Sequence, residues 1–255
     1  MGRKAKLVMK RAFQQFSAFV LLNVLSACGG GSSSAPVNLA GNWQFTGQST
    51  VFVDLNFVGT AALQQTGSSI SGNLSLSGSP CATTAALSGS LSGTSVSFQI
   101  EEGNQANQFT GTVTPDGTSA SGKYVAPNGG CLNGDAGTWS ATKIASLSGV
   151  FAGSLHPNEV ISVPSQATVN ITQDDEGNLN GMAVLTNSSC FASLDLSGKV
   201  NGQSLTITAS SLNMPEQSVR LDGKIDHAAK SITLTYTVIG GHCDGESGSG
   251  ILARF

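Results

Sequence analysis

The sequence predicts an all-β protein made of two tandem eight-stranded up-and-down β-barrels, with a pair of β-sandwiches as the alternative. Three observations carry this. Apolar and polar residues alternate with period two over short runs, as in Val96, Phe98 and Ile100 against Ser95, Ser97 and Gln99. Glycine-bearing turns separate those runs. The second half of the chain also repeats the first. Strand count alone does not fix closure, so the sandwich stays open at this point.

The repeat aligns residues 70–100 with residues 179–209 without a gap, at a constant offset of 109. Gly72 meets Gly181, Cys81 meets Cys190, and Leu87-Ser88-Gly89 meets Leu196-Ser197-Gly198. Upstream the offset is 108, where Leu39 to Trp43 matches Leu147 to Phe151. Downstream it is 112, pairing Tyr124 with Tyr236 and Cys131 with Cys243. Offsets that change only across loops are those of two copies of one fold. The organisation that follows is a leader over residues 1–27, a Gly/Ser linker over 28–38, and barrels over 39–143 and 147–255.

Eight alternating segments fall in each copy. They lie near Trp43, Leu55, Leu74, Leu87, Phe98, Val113, Tyr124 and Trp139, and near Phe151, Val169, Ala183, Leu196, Ile207, Ile225, Leu234 and Ile251. In a meander the connections alternate between two ends. One end carries tight turns such as Thr66-Gly67-Ser68, Ser92-Gly93-Thr94 and Asn201-Gly202. The other carries the stretches predicted to be longer: Glu101 to Gln108, His156 to Ser165, Ser211 to Ser218, and the cysteine-bearing segments.

Of the five cysteines, Cys28 stands apart near the N-terminus. Four cysteines allow three pairings. The repeat selects Cys81–Cys131 and Cys190–Cys243, because each copy holds one cysteine at its centre and one near its end. Each bridge would tie the third connection of its barrel to the seventh, at the long-loop rim.

Arg3, Lys4, Lys6, Lys10 and Arg11 precede every acidic residue. The remainder holds seven basic against fifteen acidic residues, a net of −8. A body this acidic, with no basic stripe, excludes nucleic acid as a partner. The basic start leads into an apolar stretch, Ala12 to Leu25, too short and too polar for a permanent membrane span and suited to a secretory signal. Met9 offers an alternative start.

Leu25-Ser26-Ala27-Cys28 resembles the lipobox of bacterial lipoproteins. The resemblance implies cleavage before Cys28, acylation of that residue and anchoring to a membrane. Gly29, where an inner-membrane retention signal would have aspartate, favours the outer membrane, facing either the periplasm or the cell surface. Gly41-Asn42-Trp43 resembles the Gly-x-Trp first strand of calycins, the lipocalin and avidin barrels. That resemblance implies a basic last-strand residue packed on the first-strand aromatic: Lys143 on Trp43, and Arg254 on Phe151.

Catalytic chemistry is sparse. The first copy has no histidine and no arginine, a poor stock for acid–base work, and the chain has no Gly-x-Ser-x-Gly, His-Glu-x-x-His or phosphate-binding glycine loop. Asp174 to Asn178 lacks the spacing of a calcium loop. His242-Cys243-Asp244 with Glu246 has metal-ligand residue types, and His156 could reach it across the rim, but a disulfide at Cys243 removes its central ligand. No cofactor and no enzyme activity are expected.

The expected function is therefore non-catalytic binding by the loop rims. Glu101, Glu102, His156, Glu159, Met214, His242, Asp244 and Glu246 are the candidate contacts to a macromolecular partner. The alternative is carriage of a small apolar ligand inside a barrel. In the first copy Trp43, Phe45, Leu55, Phe57, Leu63, Leu74, Leu87, Leu91, Phe98, Phe109, Tyr124 and Trp139 are bulky enough to fill a narrow barrel. Gly89, Gly111 and Ala120 mark where room could remain.

Overall fold

The computed structural model describes residues 36–159 and 163–255. They form two closed antiparallel barrels of eight strands each, which removes the sandwich alternative. Barrel one comprises β1 (Gly41–Ser49), β2 (Asn56–Thr66), β3 (Ser69–Ser77), β4 (Thr84–Ser92), β5 (Ser95–Glu102), β6 (Gln105–Val113), β7 (Ser119–Val125) and β8 (Ala136–Lys143). Barrel two comprises β9 (Gly149–Pro157), β10 (Ser165–Gln173), β11 (Asn178–Thr186), β12 (Ser193–Asn201), β13 (Ser204–Ser211), β14 (Ser218–Ile225), β15 (Ser231–Ile239) and β16 (Ser247–Arg254). Within each barrel, every strand pairs with its neighbours in sequence. Closure comes from β1 on β8 and from β9 on β16.

The alternation dictates the layering. In β5, Val96, Phe98 and Ile100 turn inward while Ser95 and Ser97 face out. The outer faces of β3 and β4 read Ser69, Ser71, Asn73, Ser75, Ser77 and Thr84, Ala86, Ser88, Ser90, Ser92, polar but for one alanine. Apolar residues inside and polar residues outside invert the pattern of a membrane-spanning barrel, whose outer band is apolar. Among the described residues no helix is long and apolar enough to cross a membrane.

The tight-turn end of each barrel is plugged in the same way. Leu39 is buried and its N–H donates to Gln65 Oε1 at 2.7 Å; Leu147 is buried and donates to Gln173 Oε1 at 2.8 Å. Arg254 lies over the Phe151 ring at 4.7 Å and donates to the carbonyls of Ala229, Ser148 and Ser146. Lys143 pairs in register with Trp43, but its Nζ donates to Asn38 O.

The tight turn Asn201-Gly202 of barrel two docks on the flank of barrel one. Asn42, almost wholly buried, donates through Nδ2 to Gly202 O at 2.6 Å and accepts from Gly202 N at 2.7 Å. Gly202 has φ of +58°, and a Cβ there would collide with Thr60 Cγ2, so glycine is needed for both the turn and the approach. The matching position in barrel two, Val150, has no barrel to dock and is partly exposed.

At the other end, disulfides Cys81–Cys131 and Cys190–Cys243 join the β3–β4 connection to the β7–β8 connection and the β11–β12 connection to the β15–β16 connection. One expected rim loop does not exist. Residues 101–108 continue as β5 and β6 around a two-residue turn, Gly103-Asn104, with Gly103 at φ +61°. The inward positions there happen to be polar, which hides the strand period.

Candidate functional site

The two barrels share a backbone plan but not an interior. Barrel one is filled by aromatic rings. Phe98 stacks on Phe109 with centroids 5.0 Å apart, Trp139 meets Phe98 edge-on at 5.1 Å, and Tyr124 stacks on Phe109 at 5.4 Å. The space expected over Gly89 and Gly111 is taken by those side chains. Gly89 lies against Phe98, and a Cβ on Gly111 would come within 2.8 Å of Trp139 Cζ2. Leu55, expected to point inward, falls between strands and is half-buried.

Matching registers give the equivalent positions in barrel two. The pair Phe45–Ala141 becomes Gly153–Leu252, and Gly47–Trp139 becomes Leu155–Gly250. Phe57 becomes Ser165, and Phe98–Phe109 becomes Ile207–Leu221. Leu155 and Leu234, the latter where barrel one has Gly122, return only part of the lost volume. The result is an aliphatic cavity lined by Leu155, Ala167, Val169, Ala183, Leu221 and Leu234 among others. Its water-accessible volume is about 60 Å³, against about 20 Å³ in barrel one. One water needs roughly 10–15 Å³ by this measure, so barrel two can take a short chain or a small ring.

The rims differ too. Barrel one is sealed by a hydrogen-bonded polar layer. Glu102, 4% exposed, accepts from Ser79 Oγ at 2.6 Å; Gln105 Nε2 donates to Asn107 Oδ1, and its Oε1 accepts from Leu132 N. Asp135, fully buried, accepts from Tyr124 Oη on one oxygen and from Ser49 Oγ on the other. In barrel two Val219 replaces Asn107. Gln217 remains, fully buried, with neither polar atom partnered. Tyr236 donates to Glu246 Oε1 at 3.2 Å. Burial, then the Glu246 charge, pushes the Tyr236 hydroxyl well above its usual range, so it stays protonated. Among the described residues, Ser165, Ser188, Tyr236 and Glu246 are the polar side chains lining the cavity, and no lysine, arginine or histidine does so.

The residues expected at a binding rim are therefore dispersed. Glu102 is interior and unavailable to a partner, because its strand position points it into the barrel. Glu101 is exposed and lines an open hollow of about 810 Å³ on the flank, together with Gln64, Asn73, Glu176, Lys199 and Asn201. That hollow is larger than the barrel-two cavity but solvent-open and of mixed polarity. His156 is exposed at the end of β9, Glu159 is exposed just beyond it, and Met214 is half-buried in the β13–β14 loop. His242 Nε2 lies 3.0 Å from Ser189 O, and Asp244 accepts from Gly240 N. Glu246 is the one of the eight that lines the cavity.

Among the described residues, the grouping with metal-ligand geometry is Cys190, His242 and Cys243. Both sulfurs are consumed by the disulfide, and His156 is not in the group, so the metal-ligand set expected from His156 and His242 does not assemble among the described residues. Cys28 lies outside the described residues.

No family model matches the chain, and no curated protein matches it. Among solved structures it is similar to a "putative outer membrane protein" from Bacteroides fragilis, with 13% identity, covering 85% of this chain and 98% of that one, and a TM-score of 0.31. It is also similar to a protein of unknown function from Nostoc punctiforme in the DUF3598 family, with 11% identity, 85% and 96% coverage and a TM-score of 0.29. A third is kievitone hydratase from Nectria haematococca, with 12% identity, 91% and 94% coverage and a TM-score of 0.24. Likenesses at this level carry no argument about activity.

Proposed function

We propose that this is a non-catalytic, envelope-anchored binding protein whose second barrel holds a small apolar ligand, with lipidated Cys28 as the anchor and the outer membrane as its site. The observation that carries the reading is the exchange of five aromatic residues of barrel one, Phe45, Phe57, Phe98, Phe109 and Trp139, for Gly153, Ser165, Ile207, Leu221 and Gly250 in barrel two. A duplicated scaffold that keeps one copy packed and hollows the other has the division of roles expected of a structural and a ligand-holding domain. Apolar walls with few polar groups suit a small apolar molecule.

Calorimetric titration with hexan-1-ol tests this. Wild type should bind with a Kd of about 0.1–1 mM, the affinity expected of a short buried chain. Ala183→Leu fills the cavity from its wall and should weaken binding at least ~10-fold while leaving the melting temperature unchanged or higher. Equal binding by both proteins would place the ligand elsewhere.

Rim recognition of a macromolecule is the second reading. It is favoured by Val51, Phe52 and Val53 in the β1–β2 loop, which are 53%, 42% and 90% exposed at the stapled end of barrel one.

A further inference from the structure

The ligand's head group can be read from the one carboxylate at the cavity mouth, given the proposed role of barrel two. In barrel one the corresponding carboxylate, Asp135, has both oxygens occupied, one by Tyr124 Oη and one by Ser49 Oγ. In barrel two the tyrosine is kept, as Tyr236 on Glu246 Oε1, but the register position of Ser49 is taken by Pro157. Among the described residues no hydroxyl caps the second oxygen. Glu246 Oε2 has Cys190 Sγ as its neighbour at 3.2 Å, and a disulfide sulfur carries no hydrogen to donate.

The other polar side chains that line the cavity are already engaged, and Gln217, buried without a partner, is not part of the lining. Ser165 Oγ donates to Asn187 O at 3.4 Å, and Ser188 Oγ accepts from Cys190 N and Phe191 N. The nearby His242 turns its Nε2 to Ser189 O and does not line the cavity. Among the described residues the mouth thus offers an acceptor with negative charge and no cation to neutralise an anionic ligand. We infer that the ligand is a small apolar molecule bearing a neutral or cationic hydrogen-bond donor, an alcohol or an amine, whose donor takes the place of the Ser49 hydroxyl on Glu246 Oε2. Carboxylate-headed chains are disfavoured, since a second anion beside Glu246 would have no cation among the described lining residues to offset it.

The test compares hexan-1-ol, hexylamine and hexanoate at neutral pH by calorimetry. The alcohol and amine should bind, and hexanoate should bind at least ~10-fold more weakly. Glu246→Gln should bring hexanoate to within about threefold of hexan-1-ol by removing the repulsion. Pro157→Ser restores a hydroxyl at the matching position and should weaken hexan-1-ol about threefold or more by capping Oε2 from within. Hexanoate binding as well as hexan-1-ol to wild type, or an unchanged hexan-1-ol affinity in folded Pro157→Ser, overturns the head-group assignment while leaving the cavity reading intact. Binding of none of the three overturns both.

Discussion

Trp139→Ala should destabilise barrel one by about 3–5 kcal/mol, the usual range for deleting a fully buried large aromatic side chain. The indole sits at the centre of the ring cluster, edge-on to Phe98 at 5.1 Å and 6.2 Å from Phe109, with Nε1 donating to Thr110 O at 3.2 Å. Its neighbours cannot collapse into the space. Gly111 and Gly122 face it from β6 and β7, and they pair so closely that a Cβ on either would strike the opposite backbone. The void therefore persists, and the cavity term adds to the lost burial. Urea denaturation followed by tryptophan fluorescence and circular dichroism reads this as a lowered midpoint for barrel one. A loss below about 1 kcal/mol would mean that the ring cluster is not what supports that barrel.

The second large effect is expected from the cross-links. Replacing Cys190 and Cys243 together by alanine releases a loop with a sequence separation of 53 residues, worth about 4 kcal/mol in the chain-entropy model. The loss matters more in barrel two than the equivalent change at Cys81 and Cys131. In barrel one the rim is also held by the Ser79–Glu102, Gln105–Asn107 and Tyr124–Asp135 hydrogen bonds. In barrel two Gln217 has no partner and the cavity opens among the same connections. The barrel-two double variant should therefore lose hexan-1-ol binding at temperatures where wild type still binds, as differential scanning calorimetry with and without ligand would show. Equal losses in the two barrels would contradict this account of the rims.

Much of the architecture was legible in the sequence, because period-two alternation and a near-constant repeat offset are local signals. Val96-Ser97-Phe98 needs no tertiary information to be read as a strand. The run Glu101 to Gln108 reads as a loop for the same reason: Glu102, Gln105 and Asn107 point into the barrel as a hydrogen-bonded polar layer, and a polar inward face erases the alternation. Asn42 gave no sign of its docking role, which depends on a turn 160 residues away.

The hollow of barrel two was hidden for a different reason. No single residue makes it. It arises because Gly153 faces Leu252, Gly250 faces Leu155 and Ser165 stands where Phe57 would. Those relations exist only once strand register is fixed. The Tyr236–Glu246 pair was within reach of sequence comparison: the tyrosine match at Tyr124 was visible, but its acidic partner shifts from Asp135 to Glu246 across a loop of different length.

The measurement that bears most directly on the central claim is methyl-resolved NMR of the protein titrated with hexan-1-ol. The account predicts shift changes confined to the lining of barrel two, at Leu155, Ala183, Leu221 and Leu234, with none at Leu87, Leu91 or Val96 of barrel one. Changes centred on Val51 and Val53, or no changes at saturating alcohol, would contradict it.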